Sequence, residues 1–276
     1  MTEAAFKRSI RDLQVWCSSC MVAFSGAAPI GVLIGAKRSS GTLVHKIAVH
    51  PDHLRQGHAR HLLNSLGSKL AILGPPRIVA EVPESLAPAC ALFSACGYVE
   101  EAVLTDYILR CEENERSERE GGSGGAKPPG LSNAGFVIPV TVDDLAANGL
   151  FQEAPPSLLA SAGQGQPPVC WKRSLETVTA RKDELEGLAV ASEERIEAYL
   201  LYIKDGRQAE VVSFRSFFDN PPSTGLGPLV ARVRAGGVQT LLLPKVHPSE
   251  VSQAYLETLG FRSAGRTRLH ATIARS

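Results

Sequence analysis

The sequence predicts an α/β (α+β) protein built from two related halves. Three observations carry this prediction. Strand-like and helix-like apolar patterns alternate along most of the 276 residues. A stretch at 112–131 is charged and then Gly/Pro-rich, can form no core, and reads as a linker. The same closing unit, a helix followed by Gly-aromatic and a strand, occurs as Ala91-Leu-Phe-Ser-Ala-Cys-Gly-Tyr98 and again as Ala254-Tyr-Leu-Glu-Thr-Leu-Gly-Phe261. A repeat inside one chain weighs more than either copy alone. The expected organisation is an N-terminal domain over 1–111, a flexible linker over 112–131 and a C-terminal domain over 132–276, in line with a length that exceeds one typical core.

In the first half, residues 3–14 carry apolar side chains at helical spacing. Val15–Ser25 and Pro29–Lys37 read as strands joined by a Gly-Ala-Ala-Pro turn, and Thr42–Val49 as a third strand. Ala59–Leu73 places Leu62, Leu63, Leu66 and Leu70 on one helical face, and Gly74-Pro-Pro ends it. Arg77–Val82 is a strand, Leu86–Ala95 a helix closed by Gly97, and Ala102–Leu109 a last strand. In the second half, Gly135–Val142 reads as a strand and Asp143-Asp144-Leu145 as a helix start. A helix is expected over Ser174–Leu188, strands over Arg195–Ile203 and Glu210–Arg215, and a helix opening at Gly225. Val238–Leu243 is a strand, Val251–Leu259 a helix, and Arg266–Ala274 the final strand.

Bulk properties exclude several classes. Apolar content is 44% and formal net charge is +1, so no strong field attracts nucleic acid or an acidic membrane. No segment approaches the roughly 20 apolar residues of a membrane span. Met-Thr-Glu-Ala-Ala-Phe-Lys-Arg lacks the apolar centre of a signal peptide, so a cytoplasmic location is expected. Six cysteines in this length make no disulfide framework. Cys17 and Cys20 lack the second pair or the histidines that zinc needs, and read as reduced strand residues. Cys90 and Cys96 read as small core residues of a helix. No metal site is expected.

The stretch His45–Leu63 carries the chemistry. Ile47, Ala48 and Val49 are an apolar strand end, Pro51 closes it, and Gly57 and Ala59 keep the next turn small before a helix begins. A small-residue loop at a helix N-terminus is an anion site, because free main-chain N–H groups and the positive end of the helix dipole face the ligand. The order of apolar strand, Val-x-Pro, Gly-x-Ala and Leu-Leu resembles the coenzyme A loop of the GNAT superfamily of N-acetyltransferases, whose pattern is Arg/Gln-x-x-Gly-x-Gly/Ala. Gly57 and Ala59 match its two small positions, while Leu54 stands at the Arg/Gln position with Arg55 following. The second half resembles a weaker copy of the same fold.

The resemblance implies two GNAT-like domains, each a mixed central β-sheet flanked by helices, the N-terminal one lacking the family's first strand. It implies acetyl-CoA as co-substrate and a small-molecule or peptide amine as acceptor, in a monomer or homodimer. Main-chain groups of Ile47, Ala48 and Val49 would pair with the pantetheine arm. Arg55, Gln56, Gly57, His58, Ala59 and Arg60 would cradle the pyrophosphate, with Arg55, Arg60 and His61 adding charge.

Amine acylation also needs a base, an oxyanion donor and help for the departing thiolate. His45 and Glu81 are the base candidates on the flanking strands, and a histidine is the better tuned to neutral pH. The family's acid is a tyrosine four residues before the Gly-aromatic pair, and Phe93 stands there, with Leu86 where an asparagine is frequent. A phenylalanine donates no proton, although a thiol of pKa roughly 8.5 can leave unassisted. In the second half Gly225-Leu-Gly227 has the loop's form, but Pro222 fills the basic position and Leu256 the acid's, with Tyr255 one place off. That half is expected to be a structural copy without coenzyme. The two readings are thus an acyl-CoA-dependent N-acyltransferase and a pseudoenzyme that binds acyl-CoA as a sensor or scaffold.

Overall fold

A computed structural model describes residues 3–110, 136–150, 170–217 and 225–274. The expected linker at 112–131, Pro222 and the Asp219–Ser223 junction lie outside them. In chain order the elements are α1 (Glu3–Leu13), β1 (Met21–Ser25), β2 (Ala28–Arg38), β3 (Gly41–Val49), α2 (His58–Leu73), β4 (Arg77–Pro83), α3 (Ala87–Ala95) and β5 (Val99–Arg110). There follow β6 (Phe136–Pro139), α4 (Val142–Ala147), α5 (Leu175–Ala180), β7 (Glu186–Ala191), β8 (Ile196–Asp205) and β9 (Gln208–Ser216). The last elements are α6 (Leu226–Ala235), β10 (Thr240–Val246), α7 (Gln253–Thr258) and β11 (Arg262–Ile273).

These elements form two compact units, and neither is a continuous stretch of chain. The first unit takes Met1–Leu104, Cys170–Lys172 and Gly265–Ser276, and the second takes Thr105–Val169 and Arg173–Ala264. The last strand of each half thus contributes to the unit built mainly from the other half.

In the first unit, β1, β2 and β3 pair antiparallel, β3 pairs parallel with β4, and β11 pairs antiparallel with β4 from Thr267–Pro83 to Ile273–Arg77. This is a mixed sheet, as expected. Helix α2 lays Leu62, Leu63, Leu66 and Leu70 on one face of it, against Leu33, Val44, Ile78 and Val82. Fully burying each leucine contributes roughly 1.5–3 kcal/mol. The opposite face buries Leu13 of α1, Ala36, Leu43, Val79, Trp171 and Leu269. Gly35 permits this packing, because a Cβ there would lie 2.4 Å from the Ser19 carbonyl oxygen.

In the second unit, β6, β7, β8 and β9 pair antiparallel in succession, β9 pairs parallel with β10, and Thr105–Arg110 of β5 pairs antiparallel with β10. Thr141 caps α4 in a capping box with Asp144, whose carboxyl is held below the usual range by the Thr141 hydroxyl and amide. The strand-like start and Asp-led helix expected over 135–145 are therefore present.

The repeated closing units share one helix stop. Gly97 and Gly260 lie at φ 81° and 87°, and the next amide turns back onto the helix: Tyr98 N–H donates to the Phe93 carbonyl at 3.1 Å, Phe261 N–H to that of Leu256 at 3.0 Å. The left-handed residue favours glycine, and the backward bond satisfies an orphan carbonyl.

Two segments differ from the sequence reading. The helix expected over Ser174–Leu188 ends at Ala180, and Glu186–Ala191 is instead strand β7. Gly187, Leu188, Ala189 and Val190 are all buried, so a strand covered on both faces replaces the alternation a helix or half-exposed strand would show. Gly187 also passes so close to the Val140 carbonyl that only glycine fits. The strand expected over Val15–Ser25 is interrupted by a 3₁₀ turn at Cys17–Ser19, so Cys17 sits in a turn and Cys20 just precedes β1.

Candidate functional site

The site is built at the C-terminal end of β3. Along the β2–β3 ladder Ile34 pairs with Lys46 and Gly35 with Val44, so His45 is an extra residue, a β-bulge. The parallel β3–β4 ladder holds only at Thr42–Ile78 and Leu43–Val79, while β3 runs on to Val49 and β4 to Pro83. Beyond Leu43 the two strands diverge. Ile47, Ala48 and Val49 line that opening along the edge of β3, and an extended ligand arm can pair with a strand edge of this kind.

The chain then turns sharply. His50 N–H donates to the Ile30 carbonyl at 2.7 Å, and a 3₁₀ turn follows at Pro51–His53. Gln56 ties the loop: its Nε2 donates to the Asp52 carbonyl and its Oε1 meets His58 Nε2, both at 3.3 Å. The rings of His50, His53 and His58 follow edge to face with centroids 6.0 Å apart. Arg55 and Gly57 adopt φ of 63° and 87°, which aims the loop into the helix. The first α2 bond runs from His61 N–H to the Gly57 carbonyl at 2.9 Å. The amides of His58, Ala59 and Arg60 precede it and point out of the helix end. Arg55, Gln56, Gly57 and Arg60 are exposed, so this end is accessible. Leu54, at the position of the family's basic residue, is 55% exposed.

Arg60 lies beside Cys96 at the end of α3. Burial pushes that thiol up, and the Arg60 guanidinium partly offsets the push. No disulfide joins the described cysteines.

The two base candidates lie on the neighbouring strands β3 and β4. His45 is half-buried at the bulge. Glu81 accepts the Trp171 main-chain N–H at 2.5 Å. Trp171 is itself held by Arg38, which donates to its carbonyl at 3.0 Å and stacks 4.1 Å over its ring. Its indole N–H donates to the Leu13 carbonyl at 3.0 Å.

Phe93 is buried and touches two rings. Tyr98 meets it edge to face at 5.1 Å, and His270 of β11 stacks on it at 5.9 Å. Burial raises the Tyr98 phenol well above its usual range and lowers the His270 imidazole. His270, Trp171 and Arg38 were not among the residues that sequence reasoning singled out. Their neighbours are distant in sequence, and no spacing pattern signals such contacts.

The second unit repeats the scaffold. Val212 is the extra residue opposite the Leu201/Tyr202 step, and β9 pairs with β10 only at its start. Gly225, at φ 98°, caps α6. The helix end differs, however: Leu226 is fully buried, and a Cβ at Gly227 would sit 3.4 Å from Leu259 Cδ2 and 3.6 Å from the Tyr255 hydroxyl. Gly227 is the counterpart of Ala59, and the buried Leu226 stands where His58 is half-buried in the first unit.

A bulged strand, its divergence from its parallel neighbour and an open helix N-terminus meet at this one point. Residues 2–98 match the Acetyltransferase (GNAT) family. The whole chain is similar in fold to a tandem GNAT protein from the clavulanic acid biosynthesis pathway, at 16% identity and TM-score 0.57 over 97% of this chain and 87% of that one. It is similar as well to a GCN5-related N-acetyltransferase from Sphaerobacter thermophilus, at 13% identity and TM-score 0.61 over 98% and 86%. A third similar fold is a GCN5-related N-acetyltransferase from Anabaena variabilis, at 11% identity and TM-score 0.61 over 100% and 67%. No curated protein matches the chain in sequence. Residues 2–98 thus form a GNAT acetyltransferase domain, and the chain as a whole is similar in fold to a tandem GNAT protein.

Proposed function

We propose that this protein transfers an acetyl group from acetyl-CoA to an amine, and that the first unit holds the coenzyme. The observation that carries the reading is the open end of α2 at Gly57 beside the divergence of β3 and β4. The pyrophosphate would lie against the amides of Arg55, Gln56, Gly57, His58, Ala59 and Arg60. The pantetheine arm would pair with Ile47, Ala48 and Val49. His45 and Glu81 remain the base candidates for the first proton, that of the acceptor ammonium. The buried Leu226 at the equivalent helix end argues against a coenzyme in the second unit.

The acceptor is a small-molecule or peptide amine. A shallow, open apolar depression lined by Val22, Ile30, Val32, Ala48 and His50 adjoins the end of β3 and would seat an apolar part of the acceptor. Among the described residues no helix is long and apolar enough to cross a membrane. With a net charge of +1, the reading is of a cytoplasmic monomer or homodimer that binds neither nucleic acid nor membrane and uses no metal. The halves 1–111 and 132–276 would be joined through residues 112–131.

Phe93 favours a second reading, in which acyl-CoA is bound but not turned over. Titration of acetyl-CoA by calorimetry, followed by thiol release against a panel of amines, separates the two. Binding with turnover supports the enzyme, binding without turnover on any amine supports the sensor, and no binding overturns both.

A further inference from the structure

Where the family carries its tyrosine acid, this chain has Phe93, whose ring stacks on His270 with centroids 5.9 Å apart and planes 20° apart. His270 is 2% exposed, and neither Nδ1 nor Nε2 has a hydrogen-bond partner among the described residues. A buried polar atom left without a partner costs about 1–3 kcal/mol, and native structures keep few of them without a reason. Phenylalanine, with no polar atom, cannot satisfy this imidazole. The ring sits on β11 opposite Ala80 of β4.

The other unit carries the same exchange. Tyr107 on β5 stands opposite Leu243 of β10, the register position that His270 holds opposite Ala80. Each lies nine residues after the aromatic of its own Gly-aromatic pair, and Leu256 takes the place of Phe93. Both helices have lost the acid, and in both units a titratable ring arrives on a strand from the other half.

We propose that His270 replaces the missing tyrosine as the proton carrier to the departing thiolate. This rests on the acyltransferase reading of the first unit. The amine nitrogen attacks the thioester carbonyl, and the new C–N bond leaves a proton on that nitrogen. The imidazole takes this proton and gives it to sulfur as the C–S bond breaks, so the products are an amide and CoA thiol. Nitrogen and sulfur share one carbon, so one ring serves both. Burial lowers the imidazole, which keeps it neutral and ready to accept. Glu100, which favours the charged form, and Arg268, which opposes it, are the ionised groups facing the ring.

The test starts with calorimetry of acetyl-CoA on the full chain, since an absence of binding there overturns the acyltransferase reading itself. With binding established, protein labelled with ¹⁵N in its histidines is titrated with CoA. The imidazole signal absent from His270→Phe should move, and an unmoved signal at saturating CoA overturns the proposal. In single-turnover assays on the amine panel, His270→Phe should bind acetyl-CoA normally while transfer falls about 100-fold, and Phe93→Tyr added to it should recover about tenfold. Transfer at the wild-type rate in folded His270→Phe, or in His270→Gln should the first variant not fold, overturns it equally.

Discussion

Trp171 holds Glu81: its main-chain N–H donates to the carboxylate at 2.5 Å, while Arg38 fixes Trp171 by a carbonyl bond at 3.0 Å and a ring stack at 4.1 Å. The three residues lie 43 or more positions apart from one another in the chain. The best acidic base candidate is therefore part of a packed cluster on the face opposite α2. Its carboxylate accepts a hydrogen bond and is kept in one orientation.

Glu81→Ala should leave the Trp171 amide without an acceptor and lower stability by about 1–3 kcal/mol in urea unfolding. Glu81→Gln keeps an acceptor oxygen and should fall by less. A loss of transfer in Glu81→Gln at nearly unchanged stability would assign the base to Glu81. Trp171→Ala empties a site that is 8% exposed and should cost about 3–5 kcal/mol.

Gly57→Glu should abolish acetyl-CoA binding measured by calorimetry. A Cβ at Gly57 meets nothing within 4 Å, so the side chain has room, but φ of 87° strains any residue but glycine. Gly57→Ala carries the same strain without the carboxylate and should keep most of the affinity. Normal binding by folded Gly57→Glu would remove the loop from the coenzyme site.

The His270 imidazole is held below its ordinary value by burial. The unfolded chain then takes up this proton at a higher pH than the folded one. Stability tied to the ring is complete above about pH 6.5 and is lost as pH falls through that value toward the folded pKa. Wild-type protein should lose stability between about pH 7 and 5 more steeply than His270→Phe, as read by urea midpoints across that range. Parallel curves would mean that the ring titrates alike in both states.

Residues 1–111 expressed alone should fail to fold cooperatively. β4 keeps two paired positions with β3 in that piece and loses all seven with β11, Thr267 through Ile273. Leu269→Ala in the full chain, at a site 4% exposed, should cost about 2–5 kcal/mol and lower acetyl-CoA affinity through loss of the first unit. Full coenzyme affinity in the isolated 1–111 piece would show β11 to be dispensable.

Most of the local structure was legible. The leucine stripe at 62, 63, 66 and 70 faces the sheet as its period predicts, and Gly97 and Gly260 end their helices as predicted. β7 was missed because a strand buried on both faces shows a continuous apolar run without alternation. The loop at 55–60 was legible because small residues between a strand and a helix leave a local pattern. Its exposure was not, since Gly225-Leu-Gly227 has the same form and yet Leu226 is fully buried where His58 is half-buried.

The sequence by itself determined most of the elements, the repeated closing unit, the small residues between β3 and α2, and the apolar Phe93 and Leu256 four residues before each Gly-aromatic pair. Each of these depends on neighbours within a few residues. Only the tertiary structure decided that β11 lies against β4 and β5 against β10, that His45 bulges, and that His270 reaches Phe93. Strand periodicity specifies which side chains share a face. It does not specify which strand lies alongside, because that choice is made by long-range packing over both faces of the sheet.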